Sequence, residues 1–231
     1  MLWAKRAFDV LLAGLGLLGS APLWALIALG IRLDDGGPVF YAQMRVGKGG
    51  RRFRSYKFRS MIPDADRWFG PLQAGQDDHR VTRMGCFLRA TALDELPQLW
   101  NIFKGDMSFV GPRALMPAEI EVAERASKPR VATVTMPGAG FELRGPRAMF
   151  AEVDEMVPLE KIPGYEERHR VRPGLTGLAQ IYADRDIPRR YKFRYDLLYI
   201  KTQSFWLDLK LIALSFWITF RGKWECRGWK F

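Results

Sequence analysis

The feature that most constrains this chain is a long apolar segment near its N-terminus, at residues 7–31. The segment reads AFDVLLAGLGLLGSAPLWALIALGI and carries a single charged residue, Asp9. About 20 apolar residues are enough to cross the hydrocarbon core of a bilayer. Pro22, two residues after Ser20, removes a backbone N–H and clashes with the preceding turn, so it kinks or interrupts a helix. The segment therefore predicts either a kinked spanning helix or two helices that enter and leave the membrane by the same face.

Two simpler interpretations of this segment are a cleaved signal peptide and a spanning signal anchor. The segment is longer than a typical signal-peptide core, and no good small-residue cleavage site follows it. Basic residues beside a spanning helix stay in the cytoplasm, so Lys5 and Arg6 would place everything after residue 32 on the opposite side. The segment alone favours the spanning anchor, but the rest of the chain favours the re-entrant arrangement.

The charge balance of the chain indicates an acidic partner. The formal net charge is +11 at pH 7, which suits nucleic acid, anionic lipid or a phosphorylated substrate. No helix-turn-helix, zinc-finger or RNA-binding motif is present, so no nucleic-acid partner is expected. The two cysteines, Cys86 and Cys226, lie far apart and indicate neither a disulfide framework nor a zinc site. Free thiols suit a reducing compartment, which favours a cytoplasmic catalytic domain.

Residues 39–58 predict a small β-hairpin. Val39–Met44 reads as a strand, a glycine-rich turn follows at residues 47–50, and three aromatic residues between positions 53 and 58 mark a second strand. Residues 36–63 contain seven cations and no acid, for which the simplest interpretation is a solvated or lipid-facing surface. Lys57 and Arg59 alternate with aromatic residues, and the alternative is that both point into a binding site.

Residues 81–113 are the part of the chain richest in groups suited to catalysis. Asp94 is a good N-cap for a helix with Pro97 in its first turn, and this capping role is the simpler interpretation. The alternative is chemical, because a carboxylate at a helix N-terminus lies among free N–H groups that also attract phosphate. An Asp94 that attacks phosphorus needs cations on the phosphate oxygens, which Arg89 and Arg113 would supply. Glu95 would add a second carboxylate for a metal.

Three further segments have less distinctive patterns. The basic segment at residues 168–177 enters a Gly/Pro turn and is either a surface loop or a phosphate or nucleotide clamp that includes Arg172. Residues 117–163 contain several prolines and form an unassigned insertion, either a specificity loop or a lid over the site. Residues 204–231 combine apolar residues with tryptophans and cations, which suits a helix in the lipid headgroup region and a buried core helix equally.

Taken together, these motifs resemble those of the bacterial sugar transferase family, the monotopic polyprenyl-phosphate phosphoglycosyl transferases. No single motif is specific, but the ordered set is highly specific and covers almost the whole chain except residues 117–163. The matching segments are KRAFD (5–9), the break at Ser20 and Pro22, GPVF (37–40), YKFRSM (56–61), RVTRMG (80–85), LDELPQ (93–98), MSFVGPR (107–113), RPGLTG (172–177) and FWLDLK (205–210).

The resemblance implies a mostly helical α+β fold at the cytoplasmic face of the bacterial inner membrane. Residues 1–33 would form a re-entrant helix–break–helix, with both ends in the cytoplasm and the break at Ser20 and Pro22. Residues 34–231 would form the catalytic domain, with a small β-hairpin and interfacial amphipathic helices. Residues 204–231 would be its membrane-interfacial C-terminal segment.

The resemblance also implies a reaction, the transfer of a sugar-1-phosphate from a nucleotide sugar, usually a UDP-sugar, to polyprenyl (undecaprenyl) phosphate. The family's Asp-Glu pair corresponds to Asp94, which would form a covalent phospho-sugar intermediate, and Glu95, which would help to hold Mg²⁺. The products would be UMP and a polyprenyl-diphosphate sugar, the first intermediate of a bacterial surface glycan. The remaining candidate substrate- or phosphate-binding residues are Lys57, Arg59, Arg89, Arg113 and Arg172.

One departure from the family pattern concerns the loop that follows residue 110. The family usually carries Pro-Arg-Pro where this chain has Pro112-Arg113-Ala114, so the geometry of this loop is expected to differ. The sequence specifies neither the sugar nor the glycan pathway, and it is compatible with a homodimer.

The alternative hypothesis is a non-enzymatic, membrane-anchored basic module that binds anionic lipid or nucleic acid. It is motivated by the net charge of +11 and by the two membrane-seeking ends of the chain. Strongly salt-dependent binding without turnover of any nucleotide sugar would favour this module over the enzyme.

Overall fold

The computed structural model describes residues 2–65, 78–117, 120–124, 132–135, 142–145, 153–183 and 188–221. Its helices are α1 (Leu2–Asp35), α2 (Arg83–Ala90), α3 (Gln98–Lys104), α4 (Tyr165–Arg168), α5 (Leu178–Tyr182), α6 (Arg189–Thr202) and α7 (Phe205–Phe220). Its strands are β1 (Phe40–Val46), β2 (Arg52–Phe58), β3 (Ser108–Val110), β4 (Ile120–Glu124), β5 (Ala132–Thr135), β6 (Glu142–Gly145), β7 (Val153–Pro158) and β8 (Gly174–Thr176). These elements confirm a mostly helical α+β fold with a long apolar N-terminal helix.

The described strands pair in twos. The β1–β2 pair is antiparallel, with Phe40 opposite Phe58 and Val46 opposite Arg52, which confirms the predicted hairpin. Its first strand begins one residue later and ends two residues later than the predicted Val39–Met44. The β3–β8 pair is parallel, and the β4–β7 and β5–β6 pairs are antiparallel. The described part of the insertion at residues 117–163 therefore contains β4 to β7 and the 3-10 turn Leu159–Lys161.

Helix α1 is continuous through Ser20 and Pro22, so the predicted division into two helices is corrected to one helix with Pro22 inside it. A proline removes one hydrogen bond of the helical ladder, and side chains bridge the turns around it. The Trp24 indole N–H donates to Ser20 Oγ at 2.9 Å, and the Ser20 hydroxyl donates to the Leu17 carbonyl at 3.5 Å. Packing of Leu17, Leu23 and Trp24 on the domain also stabilises the helix on both sides of Pro22.

The two ends of α1 are tied to the same folded domain. Near its N-terminus, Arg6 donates to the carbonyls of Ile102 at 2.6 Å and Phe103 at 2.8 Å, and Lys5 forms an ion pair with Asp208. Near its C-terminus, Asp34 Oδ2 accepts from the Met84 N–H at 2.9 Å. Buried residues between these ends also pack on the domain, so the domain contacts α1 along most of its length.

The opposite face of α1 is apolar and exposed. Six leucines along this face are each more than half exposed: Leu11, Leu15, Leu18, Leu26, Leu29 and Leu33. In the part of the chain that the structure describes, α1 is the one helix long and apolar enough to cross a membrane by length and composition. Helix α7 likewise has a buried face and an exposed apolar face. Asp208 and Leu211 are buried, whereas Phe216 and Phe220 are exposed. The predicted interfacial segment beyond residue 221 lies outside the described residues.

The main hydrophobic core lies between α1 and the elements packed against it. It contains buried residues from α1, β2, α3, the turn before β3, β3, α6 and α7: Ala13, Phe53, Leu99, Ile102, Met107, Phe109, Val110, Tyr199 and Leu211. A second cluster joins the C-terminal part of α1 to β2 and α2 through Ile27, Ile31, Phe58 and Leu88. These two clusters fix the relative positions of β2, α2 and α3, the elements that surround Asp94.

Candidate active site

The candidate site is built on a tight turn between α2 and α3. The chain leaves α2 at Thr91, passes through Ala92 with a left-handed backbone (φ 55°, ψ 17°), and forms the 3-10 turn Leu93–Glu95. Helix α3 begins only after Pro97, which occupies the N-cap position without a side-chain cap. The predicted N-cap role of Asp94 is therefore wrong, since the proline displaces the helix start by three residues. The Asp94 carboxylate is left for other partners.

Lys57, Asp94 and Glu95 form a compact charged cluster. Lys57 Nζ lies 3.5 Å from Asp94 Oδ2 and 2.5 Å from Glu95 Oε1. The Asp94 residue is only 7% exposed, whereas the side chain of Glu95 is 28% exposed. Strand β2 supplies the cation and the 3-10 turn supplies both acids, so the packing of hairpin against turn creates the site.

The environment shifts the pKa values of the two carboxyls in opposite directions. Burial raises the pKa of Asp94, although the nearby Lys57 and Arg89 oppose this change. Burial also acts to raise the pKa of Glu95, but the Lys57 ammonium, the charge of Arg113 and the Gln98 hydrogen bond outweigh it, so this pKa is lowered. An ionised carboxylate of raised pKa is a stronger base and nucleophile, while Glu95 is held as a fixed anion. This division of properties suits one nucleophile and one charged partner.

Two predicted arginines lie close enough to act electrostatically on the acid pair. Arg89, at the end of α2, partly offsets the burial that raises the pKa of Asp94, and its Nε donates to Ser60 Oγ at 3.1 Å. Arg113 lowers the pKa of Glu95. The Arg113 carbonyl accepts from Arg168 Nη2 at 2.7 Å, which holds its loop against the domain. Lys57, Arg89 and Arg113 therefore surround the carboxylates with positive charge.

The other two predicted cations have partners away from this acid pair. Arg59 is buried, and its guanidinium donates to the Asp35 carboxylate and to the carbonyls of Pro38 and Met61. It therefore ties the end of α1 to the end of β2. Arg172 Nε donates to the Gly105 carbonyl at 2.9 Å, at the far end of α3 from Asp94. The sequence pattern did not separate these two arginines from those beside the acid pair.

Sequence reasoning missed two polar residues that support the site. Asn101 is fully buried in α3, where its Oδ1 accepts from the Tyr56 N–H at 3.0 Å and its Nδ2 donates to the Arg54 carbonyl at 2.7 Å. It thereby fixes α3 against the strand that carries Lys57. Gln98 is also buried and hydrogen-bonds the Glu95 carboxylate. Both residues lie on the polar side of the predicted helix, away from Leu96, Trp100 and Phe103, so the sequence pattern gave no signal for their burial.

Ser20 and Pro22, the residues of the predicted membrane break, lie in the part of α1 that packs on the β-hairpin. Trp24, which donates to Ser20, packs against Phe58 with ring centroids 5.2 Å apart, and it lies 5.9 Å from the Phe40 ring. Ser20 and Pro22 therefore belong to the turn of α1 that is packed, through Trp24, on the strand that carries Lys57. They support the hairpin and contribute no group to the acid pair.

The carboxylates of Asp94 and Glu95 are suitable ligands for a magnesium ion whose coordination is completed by substrate and water. Mg²⁺ is usually bound through one or two carboxylates together with substrate phosphates and water. Asp94 and Glu95 supply two adjacent carboxylates, and the described residues contain no group of three or more His, Cys, Asp or Glu side chains suited to a metal. Asp94 and Glu95 are therefore the side chains that could hold Mg²⁺ here, and Glu95 is the more exposed of the two.

Residues 1–140 and 140–222 match the sequence model of the family described as "Bacterial sugar transferase". A similar protein from Komagataeibacter xylinus, named "Undecaprenyl-phosphate glucose phosphotransferase", is 38% identical over 91% of this chain and 35% of its own length. An Aeromonas hydrophila protein, named "UDP-N-acetylgalactosamine-undecaprenyl-phosphate N-acetylgalactosaminephosphotransferase", is 36% identical over 90% of this chain and 41% of its own length.

The "Exopolysaccharide production protein PSS" of Rhizobium leguminosarum bv. phaseoli is 36% identical over 90% of both chains. The present chain thus spans less than half of the first two relatives and nearly all of the third. The family model covers the acid pair, the hairpin and α1 in one match. The resemblance inferred from the ordered motifs is therefore confirmed, and the chain belongs to the bacterial sugar transferase family.

Proposed function

We propose that this chain transfers a sugar-1-phosphate from a UDP-sugar to polyprenyl phosphate, with Asp94 as the nucleophile. The observation that carries the proposal is a buried carboxylate of raised pKa, held beside Lys57 in a turn that is surrounded by cations. A carboxylate in these surroundings suits attack on phosphorus, since the cations offset the charge of the phosphate oxygens. Family membership and the names of the relatives agree with this reaction class.

The proposed reaction has two steps at the same phosphorus atom. In the first, an Asp94 carboxylate oxygen attacks the sugar-bearing phosphorus of the UDP-sugar, the bond from this phosphorus to the bridging oxygen breaks, and UMP leaves. In the second, a phosphate oxygen of polyprenyl phosphate attacks that phosphorus, and the bond to Asp94 breaks. The carboxylate is regenerated and the product is a polyprenyl-diphosphate sugar, so neither step needs an oxidant or a reductant.

The surrounding charges give each neighbour of Asp94 a distinct role. Lys57 keeps the buried carboxylate ionised and contacts both acids, and Arg89 adds a second positive charge on the same side. Arg113 is exposed and lies beside Glu95, where it is free to meet the diphosphate of the nucleotide sugar. Glu95, with Asp94, would hold a Mg²⁺ ion, which when bound supplies charge neutralisation for the phosphate oxygens.

We further propose that α1 is re-entrant and that the catalytic domain lies on the cytoplasmic face of the inner membrane. Both ends of α1 contact the same polar domain, through Lys5 and Arg6 at one end and Asp34 and Asp35 at the other. The exposed leucine face of α1 and the aromatic face of α7 suit insertion into lipid. A UDP-sugar is a cytoplasmic metabolite, so this arrangement brings donor and catalytic site together. A homodimer stays a prediction.

The topology is tested by labelling single cysteines in cells with a membrane-impermeant thiol reagent. One cysteine replaces Leu2 and another replaces Gly36, each in a background from which Cys86 and Cys226 have been removed. We expect both cysteines to be protected equally from a reagent added on the periplasmic side. Protection of one position and labelling of the other would show that α1 spans the membrane.

The reaction is tested by measuring UMP release from a panel of UDP-sugars, with detergent-solubilised protein, polyprenyl phosphate and Mg²⁺. UDP-glucose and UDP-N-acetylgalactosamine belong in the panel because of the names of the relatives. Asp94→Asn is expected to abolish release, and the control Asp64→Asn, at an exposed aspartate, is expected to retain it. Absence of release from every UDP-sugar would contradict the proposal and favour the membrane-anchored binding module.

A further inference from the structure

An apolar groove lies between the end of α2 and the C-terminal half of α7. Its volume is about 530 Å³ and its lining residues are Thr91, Ala213, Phe216, Trp217, Thr219 and Phe220. The groove is shallow and open along one side, where Phe216 and Phe220 are exposed. We call it the α7 groove.

The lining of the α7 groove is apolar, although two of the six lining residues are threonines. The Thr91 hydroxyl donates to the Phe87 carbonyl at 2.8 Å, and the Thr219 hydroxyl donates to the Ser215 carbonyl at 2.9 Å. Both hydroxyls are thus satisfied within their own helices. The opposite wall carries Phe216, which is 71% exposed, and Phe220, which is 90% exposed. The groove therefore suits an apolar ligand and offers no free polar group to fix a sugar or a base.

The groove adjoins the turn that carries the nucleophile. Thr91 is the residue at which α2 ends, and Asp94 follows it by three positions. Consecutive Cα atoms are 3.8 Å apart, so the Thr91 and Asp94 Cα atoms are separated by no more than about 11 Å. A ligand that contacts Thr91 in the α7 groove therefore has one end near the turn that carries Asp94.

We infer that the α7 groove binds the isoprenoid segment of polyprenyl phosphate that lies next to its phosphate. This inference rests on the proposed reaction, in which the acceptor must bring an anionic phosphate to the phosphorus held by Asp94. An apolar groove beside a cationic turn is complementary to a molecule with a hydrocarbon tail on a phosphate head. The UDP-sugar has no hydrocarbon segment, so the groove distinguishes the two substrates.

The test fills the groove and follows the two half-reactions separately. Ala213→Trp places an indole at an exposed position in the groove, and the matched control Lys210→Trp places one at an exposed position of α7 outside it. Both variants are expected to release UMP stoichiometrically from the UDP-sugar without acceptor, which shows that they are folded. With undecaprenyl phosphate in detergent, Ala213→Trp is expected to lose about 10- to 100-fold in kcat/KM for the acceptor, the cost of displacing about one isoprene unit.

A second variant at the groove gives an independent test of the inference. Phe220→Ala removes one wall at a highly exposed position and is expected to lower kcat/KM for undecaprenyl phosphate in the same direction, with KM for the UDP-sugar unchanged. If Ala213→Trp and Lys210→Trp have the same kcat/KM for undecaprenyl phosphate, and both still release one UMP per protein without acceptor (the UMP burst), the inference is overturned. The proposed reaction would still stand. A loss seen only in lipid vesicles would assign the groove to bulk membrane lipid and would also overturn it. Absence of the burst in the wild-type protein would refute the reaction and the inference together.

Discussion

Replacement of Lys57 by methionine removes the ammonium next to the nucleophile and keeps a side chain of similar length. In the folded protein this ammonium lies 3.5 Å from Asp94 Oδ2 and 2.5 Å from Glu95 Oε1. Burial already raises the pKa of Asp94, and Lys57 is the largest opposing influence. Its removal therefore raises this pKa further, so that a larger fraction of Asp94 is protonated at any given acidic pH.

The size of the effect follows from the distance and the exposure of the pair. Two unit charges 3.5 Å apart interact by roughly 5 kcal/mol at an effective dielectric constant of about 20. The Lys57 side chain is 26% exposed, so solvent screens part of this interaction, and neighbouring opposite charges shift carboxyl pKa values by about 1–3 units in proteins. We expect the Asp94 pKa to rise by about 1–2 units, which corresponds to about 1.4–2.7 kcal/mol.

The assay is the pH dependence of UMP release in a single turnover without acceptor, which isolates the attack by Asp94. The wild-type rate is expected to fall as the pH drops through the raised pKa of Asp94, because the protonated carboxyl is not a nucleophile. In Lys57→Met this acid limb moves upward by about 1–2 pH units. Lys104→Met, which removes an exposed lysine paired with Asp106 at 3.0 Å, leaves the limb in place. An acid limb at the wild-type pH in Lys57→Met would refute the electrostatic role of Lys57.

Two stability predictions follow from other buried contacts. Arg168→Met leaves the carboxylate of Asp196 buried without its partner at 2.9 Å and is expected to cost about 3–5 kcal/mol; an unchanged thermal unfolding midpoint would contradict this. Gly85→Ala is expected to lower the yield of folded protein, because a Cβ there would lie 2.0 Å from the backbone oxygen of Ser60. The matched variant Gly19→Ala, whose Cβ would meet no atom within 4 Å, is expected to leave stability unchanged or slightly higher.

The β-hairpin and the acid pair were predictable because their signals are local. Alternating aromatic residues and a glycine-rich turn define β1 and β2, and only the strand ends differed by one or two residues. The motif around residues 93–98 located both carboxylates. Its local geometry was not predictable, because the same Asp–Glu–Leu–Pro pattern permits a helix that starts at Asp94 or after Pro97. The left-handed Ala92 and the packing of α2 against the turn decide between these starts.

The partners of several charged residues could not be read from the sequence because the contacts join distant segments. Arg59 alternates with aromatic residues as Lys57 does, yet it pairs with Asp35 at the end of α1. Asp9, the only charge of the apolar segment, accepts from the Phe109 N–H at 3.2 Å across 100 positions. Lys5 pairs with Asp208 in α7. Such pairs depend on how α1 packs on the domain, which the hydrophobic pattern alone does not specify.

The proposed reaction depends on a covalent bond between Asp94 and the sugar-bearing phosphate. The most direct measurement is mass spectrometry of the intact protein and its peptides, after rapid quenching of a reaction with UDP-sugar and Mg²⁺ but without acceptor. We expect a mass increase of one sugar phosphate on the peptide that contains Asp94, absent in Asp94→Asn and discharged by polyprenyl phosphate. Turnover of the wild-type protein with no adduct, or an adduct that persists in Asp94→Asn, would contradict it.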